Sequence, residues 1–405
     1  MSNAPEKVIF CKKCVVSNQR PRIVFDENGV CSACLFAYQK QRVIDWKDRE
    51  RQLQELCDKY RRNDGTYDIV VPASGGKDSA YVAHMLKHKY GMHPLTITWA
   101  PFAYTDIGWQ NLQDFVASGF TNLLGWPNRK LHRKLARIAF ESAGDSFLPF
   151  TFGQMAYAFR LAMSFGINLV FYGENGEAEY GGSTEHNNKA YMPLQDFSRL
   201  YWVGTTIHSL IDYGKSHGIL TDDDYDKSDL LFYAPPSVEE LEGKGVQMHW
   251  FSYYHKWVPQ ENYYYAAEHT GFTVNDEGRS EGTYSKYASL DDRLDGPHYY
   301  MAYIKFGIGR ATSDAAHEIR DGHITREEGV ALVNRYDGEF PRTHHQEFLD
   351  YLDITEEKFH EVVDSYRPTH LWDKVDGEWQ LKTHVTDIPA EEVAITPAIL
   401  RPPTE

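Results

Sequence analysis

Apolar positions in the first half of the chain alternate between two kinds of run. Asp68-Ile69-Val70-Val71-Pro72-Ala73 is a short continuous apolar stretch, the pattern of a strand buried on both faces. A Gly-rich loop follows it. Ala80 to Tyr90 then reads as a helix closed by Gly91, and His93 to Trp99 as a second strand ending before Pro101. Strand, loop, helix and strand in that order imply a right-handed βαβ unit and a parallel sheet. The alternation continues with helices near Trp109–Ser118 and Arg129–Ser142, a strand near Thr121–Leu124, a long helix near Gly153–Phe165 and a strand over Asn168–Tyr172.

Outside this α/β region the pattern differs. Asp45 to Arg62 is strongly charged, with Trp46, Leu53, Leu56 and Tyr60 at helical spacing, and Asn63-Asp64-Gly65 breaks it; this is an amphipathic connecting helix. Beyond about Asp222 regularity fades, and Gln247 to Tyr265 is dense in aromatic residues. From Asp314 onward helical segments dominate, among them Arg326–Tyr336 and Thr355–Tyr366. The division expected is residues 1–40 as a Cys-punctuated ribbon, 41–66 as the connecting helix, 67–235 as the α/β core, 236–300 as an aromatic-rich substrate region, 301–385 as a helical C-terminal region and 386–405 as a tail. No internal repeat is visible.

Composition narrows the classes. A chain of 405 residues with 27 Tyr, 21 Phe and 9 Trp can bury a full core, which excludes global disorder. Its formal net charge of −16 argues against a non-specific nucleic-acid binder. No apolar run approaches the roughly 18–20 residues of a membrane span, and Met1 to Phe10 lacks the apolar centre of a signal peptide, so a cytoplasmic protein without membrane association is expected.

The loop Ser74-Gly75-Gly76-Lys77-Asp78-Ser79 carries the strongest chemistry. Two glycines let backbone N–H groups approach an anion, and the helix that follows brings its positive end to the same place. Ser74 and Ser79 add hydroxyl donors, Lys77 adds a cation, and Asp78 is a candidate magnesium ligand. The GxxxxGK[ST] spacing of the Walker loop is absent. A second loop, Gly173-Glu174-Asn175-Gly176-Glu177-Ala178-Glu179-Tyr180-Gly181-Gly182, follows the strand Asn168–Tyr172. Acidic residues at the carboxyl end of a parallel strand sit where such sheets bind ligands. Glu174 and Glu177 are therefore candidates to hold magnesium-pyrophosphate or to steer a nucleophile.

Cys11-Lys12-Lys13-Cys14 and Cys31-Ser32-Ala33-Cys34 are separated by 16 residues. Two thiolates from each of two tight turns make the four-sulfur set of a closed structural zinc site, with an iron–sulfur cluster as the other reading. So short a segment holds no core of its own, and metal would supply its folding energy. Cys57, within the charged helix, is a bystander.

The hexapeptide resembles the SGGxDS loop of the PP-loop ATP pyrophosphatase superfamily, the adenine nucleotide alpha hydrolase-like group that includes asparagine, GMP and NAD synthetases and the tRNA-modifying lysidine synthetases and thiolases. The second loop resembles the GEGSDExxGG segment of asparagine synthetases, with Asn175 in place of a Gly and Glu177 in place of the Asp. Together with the Cys pairs and the segments Trp257–Asn262, Asp291–Gly296, Lys305–Thr312 and Glu318–Pro341, they resemble the N-acetyl sugar amidotransferases of bacterial surface-polysaccharide biosynthesis, over roughly residues 8–345. That resemblance implies an ATP-dependent, AMP-forming ligase. It would adenylate the acetamido oxygen of an N-acetyl sugar and replace that oxygen with nitrogen from ammonia, giving an acetamidino sugar for O-antigen, lipopolysaccharide or a related glycan.

The same resemblance implies roles for particular residues. Lys77 and the loop N–H groups would stabilise departing pyrophosphate, Asp78 would hold magnesium, and Lys305 and Arg310 are candidates for a second cationic clamp on the nucleotide. Asp291, Asp292, Asp295 and His298 are candidates to bind sugar hydroxyls or a metal, with Trp257 in the aromatic stretch as a candidate to stack on the sugar. A glutaminase needs a nucleophilic Cys after the initiator Met or within a GxCxG elbow; here Ser2 follows Met1, and no glycine flanks Cys57. Ammonia is therefore expected from free solution or a separate subunit, and the resemblance implies a separate glutaminase like that of histidine biosynthesis, with a cyclase-like companion. The alternatives are a tRNA thiolase or lysidine-type synthetase, against which the acidic balance argues, and a non-catalytic zinc-ribbon scaffold that binds nucleotide.

Overall fold

The structure is a computed structural model that describes residue 5, residues 7–191 and residues 205–388. Its centre is a five-stranded, all-parallel sheet: β1 (Ile69–Pro72), β2 (Pro94–Trp99), β3 (Asn122–Gly125), β4 (Leu169–Tyr172) and β5 (Gln247–Trp250). The spatial order is β3-β2-β1-β4-β5. In β1 the register sets Val70 opposite Leu95 on one side and opposite Val170 on the other. Alternate side chains of each strand go to opposite faces, so Val70, Leu95, Ile97 and Val170 enter one apolar layer with the helices Arg129–Ala143, Leu148–Ser164 and Ile207–Ser216. Ile69, Val71, Leu169 and Phe171 enter the other, with the helices Lys77–His88, Asp106–Ala117 and Pro259–Thr270. Both faces are covered, which is why the strands read as continuous apolar runs.

Two further cores extend this sandwich. Met301, Ile304, Phe348, Leu352 and Phe359, on the helices Gly296–Phe306, His345–Leu352 and Glu356–Ser365, pack on Ala136 and Phe140 of Arg129–Ala143. The four cysteines 11, 14, 31 and 34 form a last core with Ile308, Ala315, Ala316 and Val333. The N-terminal Cys segment is thus docked onto the C-terminal helices. Among the described residues, no helix is long and apolar enough to cross a membrane.

Local sequence accounts for most boundaries. Asp45 caps the helix Trp46–Tyr60 through the amides of Lys47 and Asp48, and Asn128 caps Arg129–Ala143 in the same way. Leu53 and Cys57 are the buried stripe of Trp46–Tyr60; burial in that apolar setting pushes the Cys57 thiol up to about 12. Two expectations shift. The helix after the Gly-rich loop begins at Lys77, not Ala80. The expected helical region 301–385 also contains an antiparallel hairpin, β6 (Trp372–Val375) and β7 (Glu378–Leu381). Its turn residues Asp376 and Gly377 have φ of +52° and +90°, the left-handed pair that an Asp-Gly hairpin turn requires. The tail expected from residue 386 lies outside the described residues beyond residue 388.

A buried charge network joins the parts. Lys40, in the helix Ser32–Arg42, donates to Glu179 Oε2 and to the Trp257 carbonyl, each at 2.8 Å, with Asp321 Oδ1 at 3.4 Å. Its side chain is 2% exposed. Removing one partner of such a set leaves an uncompensated buried charge. Lys40→Ala is expected to lower the unfolding free energy by roughly 3–5 kcal/mol, measured by urea denaturation; a loss below about 1 kcal/mol would place the pair with ordinary surface bridges.

Candidate active site

Strand order reverses between β1 and β4: the chain runs outward to β2 and β3 on one side and to β5 on the other. The loops leaving β1 and β4 at their carboxyl ends therefore diverge and leave a crevice. A cavity of about 680 Å³ occupies it. Ser74, Gly76, Lys77, Asp78 and Ser79 line one side, and Glu174, Glu177 and Tyr180 come from the loop after β4. The far wall comes from Tyr287, Ser289, His298, Tyr299, Arg310 and Asp314.

The first loop is shaped by close packing. Gly75 has φ of +85°, and a Cβ there would lie 2.6 Å from the Leu112 backbone, so neither the dihedral nor the space admits a side chain. Gly76 caps the helix, which places Lys77 and Asp78 in its first turn, where the backbone N–H groups are free of intrahelical partners. Ser79 Oγ donates to the Gly76 carbonyl at 3.0 Å. Lys77 Nζ pairs with Asp78 Oδ2, and Asn262 Nδ2 donates to Asp78 Oδ1 at 2.9 Å.

The second loop divides its acids among different tasks. Asn175 caps the short helix Gly176–Tyr180 through the Glu177 amide. Glu174 faces the cavity; burial and the Asp78 charge push its carboxyl up to about 7. Two carboxylates opposed in this way fit a divalent cation, whose charge would relieve both. Glu177 is engaged elsewhere. It accepts from Arg22 Nε at 3.1 Å and Nη2 at 2.5 Å, and from the Ser183 amide at 2.6 Å. Glu179 is 2% exposed. Burial alone would raise its carboxyl, but Lys40 and His317 hold it below the ordinary range. It belongs to the network beneath the cavity.

Among the residues expected at the substrate, the structure brings Arg310 and His298 to the cavity wall. Arg310 lies 3.9 Å over the Tyr299 ring and donates to Ser289 Oγ at 2.8 Å. Burial opposes its charge, yet Tyr299, Asp314 and Asp295 keep it firmly protonated. His298 Nδ1 meets Asp145 Oδ1 at 2.7 Å. The other assignments need correction. Lys305, paired with Arg310 as an expected clamp, does not line the cavity; its Nζ points to the Ala143 carbonyl at 3.4 Å. Trp257 is 0% exposed, packed in the sheet core, and does not line this cavity. Asp292 is buried and accepts from the amides of Phe102 and Leu294, at 2.7 and 2.9 Å, so it fixes backbone. Asp291 and Asp295 lie close to Arg310 without lining the cavity. Asp295 is pushed up to about 6 by burial, with Arg310 opposing the shift.

Sequence reasoning missed Arg20 and Arg22, which line the cavity from between the two Cys pairs. The signal was a pair of arginines flanking Pro21, in a knuckle whose folding needs no charge there. The Cys set itself is buried, with its four Sγ atoms within 4.8 Å of one another. Cys11 to Cys34 is 3.8 Å and Cys14 to Cys31 is 3.7 Å. Thiolates at about 2.3 Å from one tetrahedral ion are separated by about 3.8 Å, so the set fits a single zinc. The Cys31 amide also points at Cys11 Sγ (3.3 Å).

Residues 281–386, which supply most of the far wall, match the family model described as LPS biosynthesis protein WbpG-like, C-terminal domain. No curated protein sequence matches the chain. Among solved structures, the chain is similar to an NH3-dependent NAD synthetase from Campylobacter jejuni subsp. jejuni NCTC 11168 in complex with the nitrate ion, at 15% identity over 50% of this chain and 94% of that one, TM-score 0.26. It is also similar to an NMN synthetase from Francisella tularensis (16% identity, 58% of this chain and 90% of that one, TM-score 0.24). A third is the U34-tRNA thiolase NcsA from Methanococcus maripaludis with its 4Fe-4S cluster (14% identity, 78% and 86%, TM-score 0.27).

Two outcomes are expected from this geometry. Purified protein should contain one zinc per chain and show no iron–sulfur absorbance in the visible range, whereas Cys14→Ser should lose the metal and become protease-sensitive within residues 7–43; full metal content in that variant would remove Cys14 from the ligand set. The second concerns Glu174, whose carboxyl is raised when folded, to about 7 from an ordinary 4.5. The folded state then holds a proton that the unfolded state releases, so this contribution is full below about pH 4.5 and is lost as pH rises through about 7. Glu174→Gln should flatten that part of the stability–pH profile of the ligand-free protein; an unchanged profile would show that Glu174 ionises normally.

Proposed function

We propose that the chain is an ATP-dependent, AMP-forming amidotransferase that converts the acetamido group of an N-acetyl sugar into an acetamidino group, a reading supported by the match of residues 281–386 to the family model of the LPS biosynthesis protein WbpG-like C-terminal domain. One observation carries this reading. The phosphate-suited loop after β1 and the acidic loop after β4 open into the same cavity as the Arg310 and His298 wall of that domain. A nucleotide held at the first loop and a sugar held at the far wall would share one reaction space.

The chemistry proposed balances as follows. The amide oxygen attacks the α-phosphorus of ATP and pyrophosphate leaves. Ammonia adds to the activated carbon, AMP carries the former amide oxygen away, and the proton released goes to solvent. An amide oxygen is a very poor leaving group; as part of AMP it becomes a good one. The N–H groups at the start of Lys77–His88 and the Lys77 ammonium would stabilise the charge that develops on pyrophosphate. Magnesium held by Asp78 and Glu174 would supply further neutralisation of the phosphates. Arg310, fixed by Ser289 and by the face of Tyr299, orients a second ligand against them. Ammonia would come from a separate glutaminase, with a cyclase-like subunit as companion.

The test is incubation with ATP, magnesium, ammonium and UDP-N-acetyl sugars, following AMP by chromatography and the amidine by mass spectrometry. Stoichiometric AMP and amidine are expected. Lys77→Ala should slow AMP formation by roughly a hundredfold or more with its thermal midpoint preserved. Wild-type AMP production by that variant would remove Lys77 from the site, and absence of AMP with every sugar tried would overturn the reading.

A further inference from the structure

Between Cys14 and Cys31 the chain makes one turn that faces the cavity. The Ile23 amide donates to the Arg20 carbonyl at 3.2 Å. Pro21 occupies the second position and Arg22, at φ of +64°, the third. This is a type II turn with an arginine where glycine is the usual residue. A left-handed non-glycine is disfavoured and persists where its surroundings over-determine it. Here the reason is visible: Arg22 grips Glu177 through two nitrogens. The loop after β4 comes to meet the turn. Gly181 has φ of +88°, and a Cβ there would lie 2.9 Å from Ile23 Cδ1.

Arg20 is held by the same contact but is not neutralised by it. Its Nε donates to the Gly181 carbonyl at 2.6 Å, and its guanidinium lies 5.8 Å from the Tyr180 ring centre. Among the described residues, no carboxylate lies within ion-pair distance of it, whereas Arg22 has Glu177, Lys77 has Asp78 and Arg310 has Asp314. Burial and the nearby Arg320 both work against its charge. An arginine fixed through Nε toward a cavity wall, next to another cation, leaves its two Nη groups available for an anion.

We propose that Arg20, presented by the Pro21 turn of the four-cysteine knuckle, binds a phosphate group of a ligand in the cavity, so that the knuckle supplies part of the binding site. This rests on the reading of the cavity as an ATP-dependent site. The phosphate could belong to the nucleotide or to a nucleoside diphosphate carrier of the sugar, and the chemistry recognised is the same.

The experiment is isothermal titration of the zinc-loaded wild type, Arg20→Gln and Arg20→Lys with three probes: magnesium pyrophosphate, magnesium ATP and UDP-N-acetylglucosamine. Arg20→Gln should lose roughly tenfold to hundredfold in affinity for at least one probe, with zinc content and thermal midpoint unchanged, and Arg20→Lys should recover part of the loss. Loss for pyrophosphate and ATP assigns Arg20 to the nucleotide; loss for the UDP-sugar alone assigns it to the sugar carrier. A wild type that binds these probes with an Arg20→Gln variant that binds them equally well overturns this inference alone. A wild type that binds none of the three overturns the ATP-dependent reading, and this inference with it. A variant that loses affinity only together with zinc or stability shows a structural arginine and overturns the proposal.

Discussion

The position of Glu179 governs how the cavity is built. Its carboxylate is buried at the end of the loop after β4, and two segments distant in sequence converge on it. Lys40 comes from the helix that follows the cysteine knuckle, while His317 and Arg320 come from the helix Arg310–Asp321. Arg320 donates to the Glu179 carbonyl at 2.8 Å and reaches toward Cys14 Sγ. Asp321, held down to about 2 chiefly by His317 against the effect of burial, completes the set. Two cations and two carboxylates nearly balance, the condition under which buried charge is tolerated. With the shared core of the four cysteines and the Arg22–Glu177 pair, the network helps to fix the knuckle, the acidic loop and the helices of residues 281–386 so that all three present side chains to one cavity.

The division of labour among the acids follows from this. The loop Gly173–Gly182 reads as uniformly acidic, but its glutamates work at three depths. Glu179 is structural, Glu177 is committed to Arg22 and the Ser183 amide, and only Glu174 faces the cavity unpaired with a cation. The aromatic stretch after β5 is likewise structural. Phe251, Tyr254 and Trp257 fill the layer beneath the helix Lys77–His88, which keeps the cavity-facing first turn of that helix in place. Aromatic density there signalled core thickness, not a sugar platform.

How much of this was legible in the sequence depended on whether the signal was local. Buried parallel strands announce themselves as apolar runs, so β1, β2, β3 and β4 were found within a residue or two. The four cysteines were found because metal spacing is a local pattern. The hairpin over residues 372–381 was missed although Asp376-Gly377 marks its turn, because charged and aromatic residues obscure the alternation. Lys305 and Arg310 looked equivalent as neighbouring cations; which side of a helix turn faces the cavity is a tertiary fact, and one faces Ala143 while the other faces Ser289. Trp257 and Asp292 were misassigned for the same reason: burial cannot be read from residue type. Arg20 and Arg22 lie some fifty residues from the phosphate loop, and nothing local ties them to it.

The ion pairs of the cavity set a condition on how it can be filled. Without ligand most charges of the cavity, Arg20 excepted, are already answered: Lys77 faces Asp78, Arg22 faces Glu177 and Arg310 faces Asp314, while burial and the Asp78 charge raise the Glu174 carboxyl to about 7. A polyphosphate can engage Lys77 only if that ammonium turns from Asp78. Asp78 would then keep Asn262 as a partner but lose its counter-charge, and ionising Glu174 beside it would set two carboxylates against each other without a cation. No other cationic side chain of the phosphate loop is available to replace Lys77. Electrostatic balance at Asp78 therefore favours positive charge arriving with any polyphosphate that enters, a metal complex over the free polyanion. An acidic chain could on this basis take an anion at the site by exchanging one set of ion pairs for another, without a large standing positive field.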